Sequence, residues 1–167
     1  MKIFILIFTF LNFLNLYSQN SKSENLKLKR DNKTSKFAYY NSRNEKILGD
    51  YWYAKDKYLK RYAIVSDPSP VLIDRNGKHI YDIFIFDNGP DYENDGLIRI
   101  VKNGKIGFIN SKTYNLVIKP QFECAYPFEN GKSKVAYNCK TRKDGEYSTW
   151  KSNNWFFINK NGQKIKN

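Results

Sequence analysis

Residues 95–110 read Asp95-Gly96-Leu97-Ile98-Arg99-Ile100-Val101-Lys102-Asn103-Gly104-Lys105-Ile106-Gly107-Phe108-Ile109-Asn110. Two short apolar segments, Leu97 to Val101 and Ile106 to Ile109, flank Asn103-Gly104. Asn-Gly suits a tight hairpin turn whose two central residues need positive φ, and such turns match the right-handed twist of paired strands. This stretch therefore predicts a β-hairpin, entered through a second turn at Asp95-Gly96.

The same punctuation recurs along the chain. Seven of the nine glycines follow Asn or Asp directly: Gly77, Gly89, Gly96, Gly104, Gly131, Gly145 and Gly162. Strand-like segments lie between them, including Val71 to Ile73, Ile80 to Phe86, Leu116 to Ile118, Ser133 to Tyr137 and Trp155 to Ile158. Turns at this spacing mark antiparallel all-β proteins. Alanine occurs only five times, and no segment sustains a 3.6-residue apolar period, which argues against helices.

The chain also repeats itself. Asn41 to Ile47, Asp74 to Ile80 and Asn159 to Ile165 share one frame, with Asn or Asp six residues before Ile; Asn110 to Val117 is the same unit with one residue added. A second element, Asp95-Gly96-Leu97-Ile98-Arg99-Ile100, aligns with Asn130-Gly131-Lys132-Ser133-Lys134-Val135. The repeat turn positions are Asn76, Gly77, Asn103, Gly104, Asn130, Gly131, Asn161 and Gly162. Such a period means units that bury their faces on neighbours. The expected fold is all-β: about four degenerate units of antiparallel hairpins or meanders, forming a twisted sheet or short solenoid. Lys140 to Ser152 reads as a loop insertion in the last unit.

These residues carry a family resemblance. Gly104-Lys105-Ile106-Gly107-Phe108-Ile109-Asn110, then Val117 to Glu123, then Phe128-Glu129-Asn130-Gly131 and Lys134-Val135-Ala136, resemble one unit of the WG-repeat family. Ile106 stands where the signature Trp belongs, whereas Trp155 is present in the last unit with Phe156 in place of Gly. The resemblance implies a bacterial tandem β-repeat protein, often exported, with no established catalytic residues.

Three segments are expected. Residues 1–18 form a signal peptide: Met1-Lys2, an apolar run from Ile3 toward Leu16, then Ser18 at the cut. Residues 19–36 are polar and lack aromatics, and read as a flexible basic lead. Residues 37–167 form the WG-like β-repeat domain. The apolar run is shorter than a spanning helix requires and contains Asn12 and Asn15, and no transmembrane span is expected after signal removal.

Composition narrows function by class. The chain has 167 residues and a net charge of +13. A basic surface attracts polyanions, although Lys, Asn, Ile, Phe and Tyr enrichment also follows from A/T-rich codons. One His and two Cys exclude most multi-ligand zinc sites. Asp91, Glu93 and Asp95 alternate like the opening of a calcium loop, but Lys102 stands where a bidentate Glu is required; a solvated acidic loop is the expected reading. His79 reads as an exposed turn residue. Cys124 and Cys139 flank the Asn130-Gly131 hairpin. Simple two-residue-turn register sets Cys124 opposite Tyr137 and Cys139 opposite Phe122, diagonal and too far apart for a disulfide, unless a bulge at Pro127 closes the gap. Both outcomes are open. The 28 aromatic residues serve either thin cores or an exposed binding face, with Tyr51-Trp52-Tyr53, Tyr58 and Tyr62 expected as one packed face.

The expected function is a non-enzymatic, secreted or periplasmic binding module for an envelope protein or an anionic glycan, without a cofactor and without nucleic acid as a partner. The alternatives are a secreted glycan-active enzyme, which needs paired carboxylates in a groove, and an inhibitor or immunity-type partner of another protein. Processing gives the first prediction. Protein isolated from its native host should begin at or near Gln19 by N-terminal sequencing; intact Met1 in a cytosolic fraction would contradict export.

Overall fold

A computed structural model describes residues 24–86, 88–144 and 147–166. The signal peptide expected over residues 1–18 lies outside them. In chain order the strands are β1 (Leu26–Arg30), β2 (Phe37–Tyr40), β3 (Lys46–Tyr51), β4 (Tyr53–Ala54), β5 (Tyr58–Leu59), β6 (Tyr62–Ser66), β7 (Pro70–Asp74), β8 (His79–Ile83), β9 (Ile85–Phe86), β10 (Gly89–Pro90), β11 (Leu97–Lys102), β12 (Lys105–Asn110), β13 (Leu116–Phe122), β14 (Cys124–Ala125), β15 (Lys132–Ala136), β16 (Lys140–Asp144), β17 (Tyr147–Lys151), β18 (Phe156–Asn159) and β19 (Lys164–Ile165). No helix occurs among the described residues.

Four three-stranded meanders carry the architecture. They are β1-β2-β3, β6-β7-β8, β11-β12-β13 and β15-β18-β19, here units 1 to 4, and each is antiparallel throughout. Units 2 and 3 join through β8 and β11 into a seven-stranded sheet with β4 at its edge. In unit 4 the first connection is replaced by an excursion holding the β16–β17 hairpin, which is the expected insertion.

The turn between the second and third strands is the same device each time. Asn41, Asp74, Asn110 and Asn159 each accept backbone N–H groups on their side-chain oxygen at 2.8–3.0 Å. Such side-chain-to-backbone bonds build a turn without strand pairing. The turn closes on a residue at positive φ: Asn44 at 64°, Gly77 at 79°, Tyr114 at 57° and Gly162 at 78°. This corrects the expectation that every Asn-Gly here supplies two left-handed residues. At Asn103-Gly104 and Asn130-Gly131 both residues have positive φ, but at Asn76-Gly77 and Asn161-Gly162 only the glycine does. There the Asp74 or Asn159 side chain holds the preceding residues, leaving one left-handed position.

The flexible lead expected over residues 19–36 is also corrected in its described part. Leu26–Arg30 is β1, paired on both sides with β2 and β5. Leu26 is 4% exposed. Asp31 repeats the turn device, accepting from Lys33 and Thr34 N–H at 2.7 and 3.0 Å with Ser35 at φ 59°. Those N–H groups, Thr34 first, hold the Asp31 carboxyl below its usual value. Polar composition concealed the strand because only one face of it is buried.

The cores lie between units. Leu26 and Tyr39 of unit 1 meet Ala63, Val65 and Ile73 of unit 2. Ile64, Leu72 and Ile83 of unit 2 meet Ile98, Ile100, Ile109 and Tyr114 of unit 3. Leu97, Ile106, Phe108 and Ile118 of unit 3 meet Val135 and Ile158 of unit 4, with Ala125 and Phe128 between them. Successive side chains on a strand point to opposite faces, so β6 and β11 each contribute to two cores. This explains their unbroken apolar runs, Ala63-Ile64-Val65 and Leu97-Ile98.

One glycine is set by close approach. A Cβ on Gly107 would stand 2.5 Å from the Ile118 carbonyl oxygen and 2.6 Å from Pro120 N. The pairing of β12 with β13 shifts register on both sides of Phe108, and β13 crosses close over Gly107.

The position of β1 gives the second prediction. Leu26→Ala should destabilise the mature protein by about 2–4 kcal/mol, as expected for a truncated core leucine, whereas Lys27→Ala on the exposed face should stay within about 0.5 kcal/mol. Urea unfolding of both variants checks this; equal, negligible effects would show that the segment adds no core.

Candidate functional site

The acidic cluster read as a possible calcium-loop opening does not converge. Asp91 is 4% exposed and faces Arg99: its carboxylate accepts from Arg99 Nε at 3.0 Å, from Nη2 at 2.7 Å and from the Arg99 backbone N–H at 2.9 Å. Nη1 donates to the Ala125 carbonyl at 3.2 Å, and the guanidinium lies 4.2 Å from the Phe84 ring centroid. Glu93 is exposed. Asp95 accepts from Gly131 N–H at 2.7 Å on its side chain and from Lys160 Nζ at 2.6 Å on its carbonyl. Asp91 and Asp95 thus tie unit 3 to its surroundings, and the solvated acidic loop expected for Asp91, Glu93 and Asp95 is corrected at Asp91, which is buried on Arg99 while the other two are exposed. Among the described residues no group of three or more His, Cys, Asp or Glu could hold a metal ion.

Cys124 and Cys139 form a disulfide with Cα atoms 5.9 Å apart. Strand register alone does not join them. Glu129 pairs with Lys132, as a two-residue turn requires, but Ala125 pairs with Val135 and Cys124 with Ala136, not Tyr137. One extra residue is accommodated around Pro127, where Ser133 Oγ donates to the Tyr126 carbonyl at 2.5 Å. This shift sets Cys139 three residues past Ala136, so the bulge does not close the gap; the chain bends at Tyr137 and Asn138 after β15 and returns Cys139 beside Cys124, where its N–H meets Glu123. Glu123 accepts from Cys139 N–H at 2.7 Å and Lys105 Nζ at 2.9 Å, and these bonds hold its carboxyl below the usual value.

His79 is exposed, with Asp82 3.0 Å from Nε2. A tyrosine–carboxylate cluster that sequence reasoning missed lies where units 1, 2 and 3 meet. Tyr114 OH donates to the Asp56 carboxylate, 2.8 and 3.0 Å from its two oxygens; Tyr39 OH donates to the Asp56 carbonyl at 2.9 Å; Ile64 N–H donates to Asp56 Oδ2 at 3.1 Å. Burial first, and the Asp56 charge second, push both phenols well above their usual value. Asp56 is fully engaged in holding the units together, and no groove opens onto it among those described.

The aromatics divide between core and surface. Tyr51 packs edge-on against buried Tyr39, but Trp52 is 62% exposed, and Tyr53 and Tyr58 are also exposed. The face expected to pack as one is therefore split. Exposed Trp52 and the half-buried rings Tyr40, Tyr81, Trp155 and Phe157 each carry a basic side chain. Lys36 lies 4.6 Å from the Trp52 centroid, Lys29 5.1 Å from Tyr40, Lys102 5.3 Å from Tyr81, Lys132 5.2 Å from Phe157 and Lys134 5.1 Å from Trp155. A cation over a ring face is held by the ring quadrupole, and its position is restricted before any ligand arrives.

The pairs on unit 4 share one face. On β15, Ser133 and Val135 are buried while Lys132 and Lys134 are exposed. Lys134 pairs with Phe157 across the sheet. In units 2 and 3 the equivalent face is covered by the next unit; on unit 4 nothing among the described residues covers it. A groove of about 270 Å³ opens there, lined by Tyr126, Pro127, Glu129, Lys132, Lys134 and Phe157. A second, of about 520 Å³, runs past Trp155, Phe157, Lys164 and Ile165. This arrangement can fix anions between stacked lysines and offer ring surface beside them. The internal alignment of Arg99 with Lys134 was the signal that pointed to this face.

Neither the curated proteins nor the solved structures yield a match to this chain. A family model does match: the one described as WG containing repeat aligns with residues 106–138. The matched segment runs from β12 through β15, so it takes in the Gly107 crossing, the Pro127 bulge and the first strand of unit 4. Over this segment, one unit of the array, the chain matches the WG containing repeat, in line with a WG-repeat reading of its fold.

Proposed function

We propose that the protein is an exported, non-catalytic β-repeat module that binds an anionic glycan or an envelope protein. The observation that carries this reading is the set of surface lysines stacked on aromatic rings, from half-buried Lys36 on Trp52 to exposed Lys134 on Trp155. A lysine already restrained by a ring loses less rotamer freedom on meeting an anion. The charge of +13 steers polyanions toward these faces.

The disulfide supports a secreted or periplasmic setting, since disulfides persist in oxidising compartments. The same compartment suits envelope glycans and proteins as partners. An enzymatic reading needs two carboxylates facing one groove; the grooves described above are lined by lysines and rings, with Glu129 alone on the acidic side.

The third prediction follows. The mature protein should be retained on immobilised heparin and elute above physiological ionic strength, with retention falling steeply as salt screens the charges. Trp52→Ala, which frees Lys36 without changing net charge, should elute earlier than wild type. Elution of the wild type below about 0.15 M salt would contradict polyanion binding.

A further inference from the structure

Units 3 and 4 place a cation at the same point of the frame. Ile83 and Asp82 pair with Ile100 and Val101; Ala125 and Cys124 pair with Val135 and Ala136 in the same way. Phe84 N–H donates to the Arg99 carbonyl at 3.1 Å, as Tyr126 N–H donates to the Lys134 carbonyl at 3.0 Å. Arg99 and Lys134 are therefore structural equivalents, as the 35-residue sequence alignment also has them.

Their surroundings differ in one group. After Phe84 the chain makes the β9–β10 excursion and returns with Asp91, whose N–H donates to the Phe84 carbonyl at 2.7 Å. That return puts a carboxylate on Arg99. Unit 4 has no such excursion: Tyr126 runs directly into Pro127. Lys134 is left exposed over Trp155, and no carboxylate of the described residues lies within ion-pair distance of it. The place that a carboxylate fills in unit 3 is open in unit 4, beside the groove of about 270 Å³.

The geometry points to a carboxylate subsite in this groove, occupied by a uronic-acid residue of an acidic glycan, with Lys134 taking the carboxylate. The inference rests on the anionic-glycan reading above and names its ligand class. Lys132, two residues along the same strand face and so about 6.6–6.8 Å away, meets a second acidic group of the same chain. Tyr126 and Phe157 offer ring surface to the sugar's C–H groups. Glu129 on the groove wall accepts sugar hydroxyls, which a uronate brings beside its carboxylate. An acidic peptide brings carboxylates but no comparable set of hydroxyl donors, so Glu129 repels it.

The test is calorimetric titration of the full mature protein with a uronic-acid trimer, its carboxyl-reduced counterpart, a sulfated oligosaccharide and a glutamate-rich peptide. The uronate trimer should bind, and the carboxyl-reduced trimer should not. Lys134→Gln should weaken binding about tenfold or more, as expected for losing a charge-assisted hydrogen bond, while Lys134→Arg stays within about threefold. Lys27→Gln, an equal charge change on unit 1, should stay within about twofold. Matched thermal midpoints establish that the variants fold. Equal losses for Lys134→Gln and Lys27→Gln overturn the subsite and assign binding to diffuse charge; continued heparin retention then leaves the binding-module reading standing. Tighter binding of the glutamate peptide or the sulfated oligosaccharide overturns the uronate assignment. Loss of both heparin retention and uronate binding overturns both readings.

Discussion

A three-stranded meander of about thirty residues cannot bury both of its faces on itself, and the structure follows from that constraint. Units 2 and 3 bury one face against the unit before and the other against the unit after. Ala63 and Val65 look toward unit 1, Ile64 toward unit 3; Ile98 and Ile100 look toward unit 2, Leu97 toward unit 4. The first two strands of each middle unit, β6 and β7 and β11 and β12, are covered on both faces along their centres, whereas β8 and β13 keep exposed residues. Stability is therefore shared across junctions, and a unit removed from the array would expose one whole core wall.

Each junction also carries polar groups that must be paired, because an unpaired buried charge is costly. Asp56 collects Tyr39, Tyr114 and the Ile64 amide where the first three units meet. Arg99 and Asp91 satisfy each other between units 3 and 4, with Ala125 taking the remaining donor. These ties add geometric specificity to apolar cores that would tolerate sliding. Unit 4 keeps the cation of the second tie but not its acid, and among the described residues its outer face is left open.

Much of this was legible in the residues. The Asn/Asp-to-Ile frame located the turn of every unit, because the Asx side chain itself builds the turn, and the insertion announced itself as a longer step. Gly107 could be seen as part of the motif but not explained, since the crossing of β13 is a tertiary event. β1 was missed because Lys27, Lys29 and Arg30 dominate a strand whose inner side is only Leu26 and half-buried Leu28. The expected solvated acidic loop fails at Asp91 because the β9–β10 excursion aims its carboxylate inward onto Arg99. The disulfide depends on the chain bending back at Tyr137 and Asn138 after β15, which the spacing of Cys124 and Cys139 could only leave open. The Asp56 cluster gave no signal at all: Tyr39 lies 17 residues before Asp56 and Tyr114 58 residues after it.

The central claim is that the middle units owe their stability to being covered on both sides. Native-state hydrogen exchange of the mature protein tests it most directly. The slowest amides should lie in β6, β7, β11 and β12, with protection declining outward through β1 to β3 and through β15, β18 and β19, and lowest in the β16–β17 hairpin. Protection in unit 1 or unit 4 equal to or above that of β6 and β11, or two halves of the chain exchanging as independent bodies, would contradict it.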